Sequence, residues 1–128
     1  MDSVPPTKGQ QDRAAAIGAE LASLGLALPG TLIKRHVRCG KPSCRCHADP
    51  PALHGPYWQW TRKTGGKTIT RQVPDEQLDD YRQWLDNHRR LRALVAELET
   101  LTLAIADDDP RAKRRPPGSA HDTRQTTT

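Results

Sequence analysis

Three cysteines fall within eight residues, in the run Cys39-Gly40-Lys41-Pro42-Ser43-Cys44-Arg45-Cys46, and His54 follows eight residues later. Three thiols and an imidazole are the donors of a structural zinc ion, which takes four tetrahedral nitrogen or sulfur ligands. Lys41 and Arg45 favour the thiolate form and offset the negative charge of a three-thiolate site. Gly40 and Pro42 suit a loop that bends back on itself. Cys44 and Cys46 are separated by one residue, tighter than the usual spacing, so the fourth ligand stays open between His54, His47 and His36. His47 directly follows Cys46, which is awkward, and His36 would have to turn back from a strand. Two other uses of the thiols stand beside zinc: a redox role, and burial as small apolar groups. Burial fits three clustered cysteines in a basic polar loop poorly. An odd cysteine count argues against a disulfide framework.

A hydrolytic or deaminating zinc site needs a carboxylate base beside an open coordination position. No Glu lies from Leu21 to Asp75, and the one Asp in that stretch, Asp49, sits in a proline-flanked loop. The zinc-enzyme patterns H-x-E with P-C-x-x-C and H-E-x-x-H are absent, as are a P-loop and paired carboxylates at a useful spacing. The expectation is a structural metal and no enzyme.

The elements that must position the cluster follow from periodicity. The chain has 128 residues, 34% hydrophobic and 27% charged, with no Phe, which bounds it to one domain with a small core that needs a staple such as a metal. Residues 1–10 read as a disordered lead. Ile17, Leu21, Leu24 and Leu28 form one stripe and predict a short helix over 11–28, stopped by Pro29-Gly30. A zinc and β module is expected over 30–73, with strands at 31–38, 56–63 and 67–73 and a turn at Thr64-Gly65-Gly66. Pro74-Asp75-Glu76 opens a long helix over 75–107. Its positions Leu91, Leu94, Leu98, Leu101 and Ile105 make a coiled-coil-like seam, which could pack on the first helix or pair with a second copy as a homodimer. Residues 108–128 read as a disordered basic and polar tail. The fold class is therefore α+β: a single domain over 11–107, with a small three-stranded antiparallel sheet and its Cys/His zinc loop flanked by a short N-terminal and a long C-terminal helix. No apolar run approaches a membrane span, and the start lacks a basic segment followed by an apolar one, so a cytoplasmic protein is expected.

Charge is unevenly placed. Between Thr31 and Val73 lie nine Lys or Arg residues and a single acid, Asp49, although the whole chain carries only +5. A basic block in a mildly acidic chain is the footprint of a polyanion-binding surface. The expected nucleic-acid contacts are Lys34, Arg38, Lys41, Arg45, Arg62, Lys63, Lys67 and Arg71. Alternation predicts that Trp58, Trp60, Ile69, Ile33 and Val37 face the helix. The opposite face would show Lys34, His36, Arg38, Gln59, Thr61, Lys63, Thr68, Thr70 and Gln72. Such a face suits the major groove of duplex DNA, which is favoured over single strands because only Tyr57 could stack there. The alternative is an interaction or adaptor protein that works through the long helix, its zinc loop only a scaffold. A redox or metal-handling protein with a labile ion is a third possibility.

The run CGKPSCRCH, followed by HGPYWQWTRKTGGKTITRQVP, resembles an uncharacterised prokaryotic domain family with a C-G-K-x-x-C-x-C motif, H-G-P-Y, two strands and a helix. The resemblance spans about Gly30 to Leu98. It implies that Cys39, Cys44, Cys46 and His54 form one site, and it implies a mobile-element setting with a recombinase or transposase as a partner. The spacer from His47 to Leu53 is longer and richer in proline than the family pattern.

Overall fold

The computed structural model describes residues 4–113. Helix α1 runs Lys8–Ala22, strand β1 Thr31–Val37, strand β2 His54–Thr64, strand β3 Lys67–Val73 and helix α2 Leu78–Asp107. Short 3-10 turns lie at Arg45–His47 and Asp75–Gln77. The α+β class holds: one antiparallel sheet in the order β1-β2-β3 sits between the two helices in sequence. Among the described residues no helix is long and apolar enough to cross a membrane.

The first helix is displaced from the predicted 11–28. It begins three residues earlier because Thr7 and Gln10 form a reciprocal cap, with the Gln10 N–H on the Thr7 hydroxyl at 3.2 Å and the Thr7 N–H on the Gln10 side chain at 2.8 Å. Residues 8–10 are therefore helical rather than part of a lead. The helix ends at Ala22, and Gly25 takes a positive φ of 82° just beyond, so Leu24 and Leu28 are not on the helix. They belong to a linker fastened to its surroundings. The Leu28 N–H donates to the Trp84 carbonyl at 2.9 Å, the Asn87 amide to the Leu26 carbonyl at 2.7 Å, and the Trp60 indole N–H to the Pro29 carbonyl at 2.9 Å. Gly30 completes this joint: at φ 115° a β-carbon there would stand 2.4 Å from the Thr61 carbonyl oxygen. The expected tail falls partly on the turns after Asp107 and partly, like residues 1–3, outside the described residues.

Helix α1 lies antiparallel on the second half of α2. Arg13 pairs with Glu97 and Glu20 with Arg90, and between the two bridges Ile17 and Leu94 are fully buried. Leu94, at the centre of the seam of α2, is thus buried on the side of α1 within the single chain. The first half of α2 covers one face of the sheet, with Val73, Leu78 and Leu85 buried. Trp60 meets Tyr81 edge-on with ring centroids 6.2 Å apart, and Tyr81 meets Trp84 at 5.2 Å.

The register corrects the predicted faces of β1. Leu32 pairs with Trp60 and Lys34 with Trp58, whereas Ile33 pairs with Gln59. Paired residues share a face, so Leu32 and Lys34 lie on the helix side and Ile33 on the open side, where it is 38% exposed. On β3 the same logic holds Ile69, Arg71 and Val73 on the helix side and Thr68, Thr70 and Gln72 on the open side. A lysine can face a helix because its stem is apolar while its ammonium lies over an indole, here 5.9 Å from the Trp58 ring centre.

Candidate metal centre

The cluster is assembled at one end of the sheet. Cys39 follows the last residues of β1, Cys44 and Cys46 bracket the start of the Arg45–His47 turn, and His54 is the first residue of β2. The turn is set by the Cys44 N–H on the Lys41 carbonyl at 3.1 Å and the His47 N–H on the Cys44 carbonyl at 3.0 Å. His54 is brought alongside by pairing with Val37, after an irregularity between Arg35 and Val37. Gly55 makes that close approach possible: at φ 121° a β-carbon would meet the Arg35 carbonyl oxygen at 2.8 Å. The glycine of the H-G-P-Y motif therefore has a steric reason beside the histidine.

One donor atom from each of Cys39, Cys44, Cys46 and His54 lies within 4.8 Å of all the others. The Cys39 and Cys46 sulfurs are 3.6 Å apart, and the Cys44 sulfur is 3.2 Å from His54 Nε2. Zinc–sulfur bonds of about 2.3 Å in a tetrahedron imply sulfur–sulfur edges of about 3.8 Å, with sulfur–nitrogen edges slightly shorter. The four side chains thus have the donor chemistry and the spacing to hold a metal ion. Cys46 is fully buried, and the Cys39 N–H donates to its sulfur at 3.3 Å, a bond that favours thiolate. The Cys44 thiol is held down to about 6, chiefly by the Cys46 backbone N–H and then by the Cys39, Cys46 and His54 side chains. Burial pushes Cys46 the other way.

The rival histidines have other surroundings. His47 Nε2 lies 2.7 Å from the Cys39 carbonyl oxygen, so its ring braces the loop from outside the cluster. His36 is an exposed strand residue apart from the four. Replacing His54 by Ala is expected to lower bound metal well below one ion per chain, whereas His47→Ala keeps it; elemental analysis of the two purified variants separates them. Retention of a full complement in His54→Ala would remove His54 from the ligand set.

The eight expected nucleic-acid contacts do not share one surface. Lys34 and Arg62 lie over Trp58 and Trp60 on the helix side, at 5.9 and 5.5 Å from the ring centres, and Arg71 pairs with Trp60. The Arg38 guanidinium donates to the Cys46 carbonyl at 3.1 Å and so ties β1 to the metal loop. Lys41 and Arg45 lend their carbonyls to the turns of that loop, the latter to the Ala48 and Ala52 N–H groups at 3.0 Å each. Lys63 stands on the open face, and Lys67 pairs with Thr64 beside the hairpin turn. Sequence reasoning passed over Arg35, which is exposed and shares the open face with Ile33. It also passed over Arg82, 4.9 Å from the Trp58 ring centre. The signal for Arg35 was present in its odd number, which it shares with Tyr57 and Gln59 across the strand pair.

The sequence profile of the family described as Domain of unknown function (DUF6788) matches residues 8–83. No curated protein and no solved structure matches the chain. With more than half of its length matched, the chain belongs to this domain family, so the expected membership of an uncharacterised family holds.

Proposed function

We propose that the chain is a non-catalytic, zinc-stabilised nucleic-acid-binding protein. Zinc is the metal of choice because three thiolates and an imidazole select it among common divalent ions. Four protein donors also close the tetrahedron, whereas a catalytic site keeps a position open for water or substrate.

The observation that carries the binding reading is the state of the cations. None of the nine Lys and Arg residues between Thr31 and Val73 makes an ion pair among the described residues. Every ion pair that is formed involves the helices or the turn after α2. A surface kept only for solubility interleaves both signs. Here the cations of the sheet meet no carboxylate partner, which leaves them available to phosphates, while Lys41 and Arg45 also face the charge of the thiolates.

A second reading, an adaptor that works through α2, is favoured by an exposed, mainly apolar patch on one face of the helix near its end. Leu98, Glu99, Thr102, Leu103 and Ala106 line it, and Leu103 is 64% exposed. Salt separates the two readings. If about four phosphates are contacted, affinity for a mixed-sequence duplex should fall roughly 100-fold between 50 and 200 mM salt. Fluorescence anisotropy of a labelled duplex measures it. Binding that is absent at 50 mM salt would sink the nucleic-acid reading and leave the adaptor.

A further inference from the structure

The open face of the sheet differs in kind from the rest of the basic module. Two cross-strand rows cross it: Thr31, Thr61 and Thr70 in one, and Ile33, Gln59 and Gln72 in the other. Arg35 lies at one end beside Tyr57, and Lys63 lies at the other opposite Thr68. No acid is among these residues, and no described helix covers them, since α1 packs on α2 and α2 on the tryptophan side. Edge positions Thr31, Ile33, Arg35, Thr70 and Gln72 are exposed, with the central strand half-buried between them. One atom beneath this face is unsatisfied: Gln59 Oε1 is buried with no hydrogen-bond partner.

These groups are of two chemical sorts. Arg35 and Lys63, one at each end, match the phosphates that flank a groove. Gln59 and Gln72, directly opposed, are amides, and an amide can both donate and accept on adenine in the major groove. Ile33 offers an apolar contact of the kind that reads a thymine methyl. A single strand would instead need aromatic platforms. Trp58 and Trp60 are committed to the helix side, under Arg82 and Arg62, which leaves Tyr57 alone and half-buried on the open side.

We infer that the uncovered face of the sheet, centred on the Gln59–Gln72 pair, enters the major groove of duplex DNA and reads base sequence, with Arg35 and Lys63 as phosphate anchors at its two ends. The inference rests on the nucleic-acid reading and adds to it the reading surface and the class of target. The cations on the helix side then contribute to general attraction and carry no sequence information.

The test uses the full-length, metal-loaded chain. Its preferred duplex is selected from a random-sequence pool, and affinity is compared with a scrambled duplex of equal composition and with the corresponding single strand. The wild type is expected to prefer the selected duplex by at least tenfold over both. In Gln59→Ala/Gln72→Ala that preference should fall about tenfold or more, with the salt slope unchanged. In Arg35→Ala/Lys63→Ala the slope should drop by about two, with the preference kept. Gln72→Glu, at an exposed position on an edge strand, guards against misfolding of the double variant and should weaken binding to every duplex. Salt-sensitive binding with no sequence preference, a preference untouched by the glutamine changes, or tighter binding to the single strand would each overturn the inference and leave the general reading standing. No binding to any probe overturns both.

Discussion

Chelating the metal, or replacing Cys46 by Ser, is expected to unfold the sheet module and expose its tryptophans. The reason is the length and poverty of the segment that the cluster closes. Residues 38–53 connect β1 to β2 with a single 3-10 turn, and Cys46 is the one buried residue among them. Connections of this length without structure of their own are uncommon in compact domains. The sheet offers little else to hold the loop shut, since its covered face buries only Val73 completely enough to count as core. Structural zinc in small domains contributes an apparent ~10–16 kcal/mol, comparable to or larger than the ~5–15 kcal/mol net stability of a typical domain. Removal of an ion held by the four donors would therefore leave only hydrogen bonds such as that from Arg38 to the Cys46 carbonyl to favour the folded loop. Tryptophan emission should shift to longer wavelength as the metal is withdrawn and return when zinc is added back, with Trp58 and Trp60 reporting from within the module. A Cys46→Ser chain without metal that keeps its native emission and a cooperative thermal transition would show that packing alone holds the module.

Much of this arrangement was legible in the residues, and the parts that were not have physical reasons. The order of elements, β3 at its predicted bounds and the clustering of the three cysteines follow from strong signals: turn glycines, period-two alternation, and cysteines in a polar loop, whereas the residues alone left three histidines as fourth donor and only the family resemblance grouped His54 with the thiols. The start of α1 was also legible, since Thr7 followed three residues later by Gln10 is a capping box, but the prolines before it suggest a lead. Its end was obscured because Leu24 and Leu28 continue the helical spacing while serving a linker that docks on α2. The orientation of β1 misled for another reason. Ile33 and Val37 are β-branched and look like the inward set, yet strand pairing places Leu32 and the stem of Lys34 against the helix. Side-chain type predicts burial only when the other face lacks a use, and here that face carries the open polar rows. Nothing in local pattern fixes the register between strands separated by the metal loop.

Leu94→Ala is the sharpest probe of how the small core is divided, and it is expected to cost about 2–5 kcal/mol. The fully buried leucine faces Ile17 between the Arg13–Glu97 and Glu20–Arg90 pairs, so the cavity would open at the centre of the helix pair. Those ion pairs are half exposed and cannot compensate, because solvent-screened bridges contribute little each. The loss should be local. Leu85, the nearest buried residue on the sheet side, lies nine positions away along α2, about 14 Å at 1.5 Å per residue. Sites so far apart without shared partners act independently. Amide exchange should therefore speed up across α1 and the second half of α2, while bound metal stays near one ion per chain and β2 remains protected. Loss of metal together with α1 would mean instead that the linker contacts of Leu26, Leu28 and Pro29 weld the helix pair and the sheet into one cooperative unit. In that case any nucleic acid bound by the sheet would also stabilise a helix pair it does not touch, and the apolar end of α2 could sense occupancy of the sheet.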